Sequence, residues 1–138
     1  MQRTRNYQKL LKRMYLTELL GGSLYRILAS KEKEKKLKSV YIQLSNNEYT
    51  AGRNIKKEIN SKIHFQSIVK IISGFFYIIP QKILSSSLRV ILKKRMYSRW
   101  FRLYNKYNPN LWRLLLEHEE LQHELLSQYW NRKKRRSV

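Results

Sequence analysis

Residues 37–59 read LKSVYIQLSNNEYTAGRNIKKEI, and the spacing of their apolar side chains decides the fold class. Leu37, Val40, Tyr41, Leu44, Ala51, Ile55 and Ile59 keep a period near 3.6, which lines one face of an α-helix. A strand would alternate every second residue, and no part of the chain sustains that alternation. Upstream, Leu10, Leu11, Met14, Tyr15, Leu24, Tyr25 and Leu28 make a second helical stripe over residues 7–38. Gly21 and Gly22 interrupt it. Each costs about 1 kcal/mol relative to Ala inside a helix, so the pair marks either a kink or a place where another helix packs close. Glu32 with Lys36 and Glu34 with Lys38 are favourable i,i+4 pairs that support the end of this stripe.

Downstream, residues 63–79 (IHFQSIVKIISGFFYII) form the most apolar stretch. A membrane span needs about 20 apolar residues, and this run is shorter and contains Lys70, Ser73 and Gly74, so a buried core helix is the favoured expectation. Pro80 ends it, because proline lacks an N–H and clashes with the preceding turn. Leu84, Leu88, Leu92, Met96, Trp100, Leu103 and Tyr107 then predict a basic helix over 82–107. Asn108-Pro109 is a start signal, with Asn capping and Pro in the first turn. The last helix carries Leu111, Leu115, Leu121, Leu125 and Tyr129. The predicted architecture is all-α, a four- to five-helix bundle over residues 1–131 followed by a basic tail over 132–138.

Thirty Lys and Arg stand against nine Glu and no Asp, a formal net charge of +21 in 138 residues. A fold of this size cannot pair that excess internally, so the expected partner is a polyanion: nucleic acid, a nucleoprotein machine or an anionic surface. The 42% apolar content is too high for a disordered basic tail. With no cysteine, disulfide scaffolds, Cys-ligated zinc and thiol catalysis are excluded. The basic N-terminus MQRTRNYQKLLKRMY could pass for a mitochondrial presequence, but it runs straight into a helical stripe. The expected residence is cytoplasmic.

The charge is unevenly placed. Residues 59–116 hold eleven Lys or Arg and no acid, and 93–113 reads KKRMYSRWFRLYNKYNPNLWR. There, cations interleave with Tyr97, Trp100, Phe101, Tyr104, Tyr107 and Trp112; cations neutralise phosphates and aromatic faces stack on bases. Trp100 and Tyr104 fall on or beside the apolar stripe and are expected in the core. Lys93, Lys94, Arg95, Arg99, Arg102 and Lys106 are the expected contacts. In the C-terminal NRKKRRSV, Arg132, Lys133, Lys134, Arg135 and Arg136 repel one another and predict a tail that is disordered when free: a polyanion-binding tail, a nuclear-localisation-like patch or a solubilising end. No helix-turn-helix or zinc-finger pattern is present, so no sequence readout is expected.

Glu117, Glu119, Glu120 and Glu124 cluster with His118 and His123, and Glu120-Leu-Gln-His123 places a carboxylate and an imidazole on one helix face. With YLTELLGGSLYRILASKEKEKKLKSVYIQLSNNEYTA (15–51), this resembles rubrerythrin-type ferritin-like bundles. The resemblance implies Glu18 and Glu48 as helix ligands, with Glu120 and His123 from the last helix. It also departs from the pattern, since Ala51 stands where a histidine would follow Glu48 and residues 59–116 supply no carboxylate. The expectation is therefore no cofactor and no retained metal, with Glu18, Glu48, Glu120 and His123 as the only candidates. No nucleophile–base pair or phosphate-cradling glycine loop supports an enzyme.

In length, basicity and helical layout the whole chain is similar to small basic helical-bundle proteins of crenarchaeal two-tailed or spindle-shaped viruses. That resemblance implies a non-enzymatic protein that occupies the DNA-binding channel of a host RNA polymerase, acting in the host cytoplasm. The alternatives are a DNA-packaging virion protein or a ribosome-associated nucleic-acid binder, and a residual ferritin-like metal protein. Neither a membrane nor a small-molecule substrate is among the expected partners.

Overall fold

A computed structural model describes the backbone of residues 2–94 and 97–136 and the side chains of residues 5–90 and 100–129. The fold is all-α, with six helices and no strand among the described residues. They are α1 (Gln2–Lys31), α2 (Lys35–Lys56), α3 (Gln66–Ile78), α4 (Gln81–Lys94), α5 (Tyr97–Tyr104) and α6 (Pro109–Arg136). The stripe predicted as one helix over 82–107 is described as α4 and α5, with 95–96 outside the described residues. The chain divides into two compact units, residues 1–89 and 90–138.

In the first unit α1 and α2 form an antiparallel hairpin. Tyr25 faces Tyr41 across it, with ring centroids 6.2 Å apart, and Leu11, Leu28, Leu37, Leu44 and Ile55 are fully buried. The predicted stripe over 7–38 proves too long. α1 stops at Lys31, and Glu34 is the extended cap of α2 with ψ 120°. The physical reason lies in KEKEKK (31–36), a run without one apolar side chain: a single helix cannot bury both Leu28 and Leu37 on one core, so the chain reverses where nothing needs burial. The Glu32–Lys36 pair therefore does not lie on a helix.

The two glycines do not kink α1. They bring α2 close: a Cβ on Gly21 would stand 3.0–3.1 Å from the Glu48 carboxylate, and one on Gly22 would stand 2.8 Å from the Tyr49 ring. Ser45 Oγ uses this proximity to donate to the Gly22 carbonyl at 2.7 Å in a buried setting. At the open end of the hairpin Gln8 donates to the Glu58 carbonyl and accepts from the Asn60 N–H, both at 3.0 Å, which closes the end of α2.

α3 runs parallel to α1, with Tyr15 against Phe65, Ser23 hydrogen-bonded to Ser73, and Lys31 donating to the Tyr77 and Ile79 carbonyls at 2.6 and 3.1 Å. A lysine on these carbonyls satisfies acceptors that a helix end leaves open. Pro80 ends α3 and opens α4, its carbonyl accepting from the Ile83 and Leu84 N–H groups. Gln81 donates to Glu32 at 2.6 Å, and burial raises the Tyr41 phenol above its ordinary value, opposed by a hydrogen bond with Ser85 and reinforced by the Glu32 charge.

The expectation of a buried core helix over 63–79 is overturned. No residue of α3 is buried, and Ile68, Ile71, Phe75, Tyr77 and Ile78 are exposed. Apolar content predicts burial only when a second surface is there to cover the helix; α1 and α2 already bury their stripes against each other, so α3 needs only one side for contact. Nor does α3 span a membrane: among the described residues no helix is long and apolar enough to do so.

In the second unit α6 begins where the sequence indicates. Asn108 Oδ1 accepts from the Leu111 N–H at 3.2 Å, the Asn108 carbonyl accepts from the Trp112 N–H, and Pro109 opens the first turn. The backbone of α6 continues through Arg136.

Candidate functional site

The junction of α5 and α6 is built on stacked rings. Trp100 lies on Tyr104 with centroids 6.0 Å apart and planes at 25°, and Tyr104 lies on Trp112 at 5.8 Å and 24°. Tyr107 adds a tilted contact to Tyr104 at 6.0 Å. Trp112 is fully buried, Tyr104 is half-buried, and Trp100 and Tyr107 are just over a third exposed. This graded stack accounts for Trp100, Tyr104, Tyr107 and Trp112 among the aromatics of 97–112. The inner rings pin the short α5 to α6, and the outer two remain partly exposed. Tyr104 thus packs as the sequence predicts, while Trp100 sits at the exposed edge.

In the same stretch of sequence Arg102, Lys106 and Arg113 are exposed, with Lys106 Nζ 5.5 Å from the Tyr107 centroid. Arg113 lies in the same acid-free run but was not among the expected contacts; its place one residue after the buried Trp112 was the available signal. Lys93, Lys94 and Arg99 lie on described helical backbone, as do Arg132, Lys133, Lys134, Arg135 and Arg136, but their side chains are outside the described residues. Arg95 is outside them entirely. Exposed cations beside partly exposed ring faces can neutralise phosphates and stack on unpaired bases or sugars.

A second feature lies between α1 and α2 of the first unit. Glu18 and Glu48 are fully buried, and their carboxylate oxygens approach within 4.8 Å. Glycine makes the space on both sides: Gly21 stands opposite the Glu48 carboxylate, and a Cβ added at Gly52 would stand 3.5 Å from Glu18 Cβ. Two carboxylates this close and this dry are not both stable as free anions. Their neighbourhood must supply positive charge as a shared proton, a basic side chain or a cation.

The other two ferritin-like candidates are placed differently from the expectation. Glu120 is exposed, and half-buried His123 pairs with Glu119 at 3.8 Å along α6. Among the described residues of α6 the buried polar positions are Glu119 and Gln122, and Gln122 Nε2 lies 2.6 Å from His118 Nε2. The correction is one of helical phase. A Glu-x-x-His spacing guarantees a shared face but not which face is turned inward; Leu115, Leu126 and Trp112 set the inner face, and it carries Glu119 and Gln122.

On the α1–α2 hairpin an open cavity of about 340 Å³ is lined by Arg26, Ser30, Lys38 and Asn46 among others, so the first unit also presents cations around a concave surface. Fold and sites together define a class: an all-α, strongly basic protein with cations displayed on both units. Comparison with protein-family models, curated proteins and solved structures found no match to this chain.

Proposed function

We propose that this chain is a non-enzymatic binding protein that acts on nucleic-acid machinery through a basic, partly aromatic surface. One observation carries the reading: exposed Arg102, Lys106 and Arg113 share an acid-free run with partly exposed Trp100 and Tyr107, and Lys106 lies against the Tyr107 ring, in a chain with thirty cations and nine acids. In its sharpest form the target is the DNA-binding channel of an archaeal RNA polymerase, where the helices exclude template and the cations engage the channel's acidic or phosphate surfaces. Direct nucleic-acid binding, as in DNA packaging or on the ribosome, uses the same surface.

The test is affinity for a labelled single-stranded oligonucleotide, and for polymerase, across a salt series. Each cation that displaces a counterion contributes about 0.7 to the slope of log K against log salt on single strands. Arg102→Glu with Lys106→Glu should lower both affinity and slope, and Trp100→Ala should lower affinity with the slope kept. Inhibition of promoter loading at protein concentrations too low to coat the template supports the polymerase form; relief by excess competitor DNA supports direct binding. Salt-independent affinity for both would sink the reading.

The buried Glu18–Glu48 pair favours a second reading, a divalent cation held between α1 and α2 as in a residual ferritin-like protein. Metal analysis after reconstitution with iron or manganese decides it: stoichiometric metal lost in Glu48→Ala supports the cation, and a metal-free chain with unchanged stability supports a shared proton or a basic partner.

A further inference from the structure

α3 turns an apolar face to the outside. At 100° per residue Ile68, Ile71, Phe75 and Ile78 fall within an arc of about 80°. They are 44%, 62%, 63% and 79% exposed, rising toward the C-terminal end. Gly74 borders the same arc, with nothing within 4 Å of the Cβ position. The opposite side, Val69, Ile72, Ser73 and Phe76, is half-buried, and tethers hold it in place: the Ser23–Ser73 hydrogen bond and Lys31 on the Tyr77 and Ile79 carbonyls. The apolar face therefore cannot roll inward without breaking those bonds.

The charges around the helix say what suits this face. Lys62, Lys70 and Lys82 are exposed before, along and after α3, and no acid occurs from residue 59 to 116. Exposed Tyr77 lies on the Lys70 side of the helix, with Lys31 Nζ 5.2 Å from its ring centroid. An apolar stripe one helix wide, edged by lysines and a tyrosine and carrying no carboxylate of its own, matches a helix lying in the plane of an anionic lipid surface; Glu32, at the C-terminal end of α3, is held by Gln81. A second copy of this chain would bring the same lysines against their own kind.

We infer that α3 is an interfacial helix that docks the first unit on anionic lipid, its Ile71, Phe75 and Ile78 entering the headgroup–acyl boundary while Lys62, Lys70 and Lys82 face the headgroups. This goes beyond the polyanion-binding function, which uses the α5–α6 junction, and revises the expectation that no membrane is a partner.

The experiment is co-sedimentation of the full chain with vesicles of phosphatidylcholine alone or mixed with phosphatidylglycerol, at about 0.15 M salt. Binding should require the anionic lipid. Ile71→Ser, Phe75→Ser and Ile78→Ser combined should lower partitioning by roughly tenfold or more, with the helical circular dichroism unchanged because these side chains are mostly exposed. Phe75→Trp should gain blue-shifted emission with anionic vesicles only. The proposal is overturned by a parent protein that stays in the supernatant. It is equally overturned by a serine variant that binds as tightly as the parent, which would mean adsorption by charge alone. A lipid-free dimer that the serine substitutions convert to monomer would assign the face to self-association instead.

Discussion

Replacing Gly22 by alanine tests the close packing of α1 on α2 quantitatively, because the helical glycines Gly22 and Gly74 offer the same chemical change in different surroundings. At Gly22 the new methyl would stand 2.8 Å from Cε1 and Cζ of Tyr49, well inside the contact distance of two carbons. Alanine contributes about 1 kcal/mol of helix propensity. Against that, forcing a methyl into a filled contact costs about 1–3 kcal/mol. Separating the helices enough to admit it stretches the buried Ser45–Gly22 bond, worth about 1 kcal/mol. The balance is a destabilisation of about 1–3 kcal/mol. At Gly74 nothing lies within 4 Å, so the same change should stabilise by about 0.4–1 kcal/mol. Urea unfolding followed by circular dichroism reads both. With a slope of about 2 kcal/mol per molar, Gly22→Ala lowers the midpoint by about 0.5–1.5 M and Gly74→Ala raises it slightly. A Gly22→Ala midpoint at or above that of the parent would refute the packing argument, since propensity alone would then account for both sites.

Asn108→Ala removes the side-chain acceptor of the Leu111 N–H and should cost about 1 kcal/mol, with Asn108→Asp retaining most of it by the same urea assay. Trp112→Ala empties a fully buried site and unstacks Tyr104; a loss of about 3–5 kcal/mol is expected, seen as a lowered thermal midpoint. Tyr41 supplies a pH test. Its folded phenol titrates above the ordinary value, so above about pH 10 the unfolded chain releases that proton first and stability falls as pH rises. Tyr41→Phe should flatten the alkaline decline measured by urea midpoints between about pH 9 and 11.

Much of the architecture follows from local chemistry alone. The 3.6-residue stripes, the Asn108-Pro109 start and the stop at Pro80 are one-dimensional signals, because each depends on backbone constraints or on one helix face; Gly21 and Gly22 mark a special place, but only the contacts to Glu48 and Tyr49 separate close packing from a kink. The acid-free run and its interleaved rings are likewise visible in the residue order. What sits on the inside of a helix is a different matter. In α6, Glu120 and His123 share a face by spacing, yet the inner face carries Glu119 and Gln122, because helical phase is set by what packs on it. Glu18 and Glu48 stand thirty residues apart, and only the antiparallel hairpin, with Gly21 and Gly52 opposite them, brings their carboxylates together in a buried site. α3 marks the sharpest division. Its apolar composition is as plain as any in the chain, but burial needs a partner surface. Because α1 and α2 bury their stripes against each other, the most apolar helix keeps Ile71, Phe75 and Ile78 in the open.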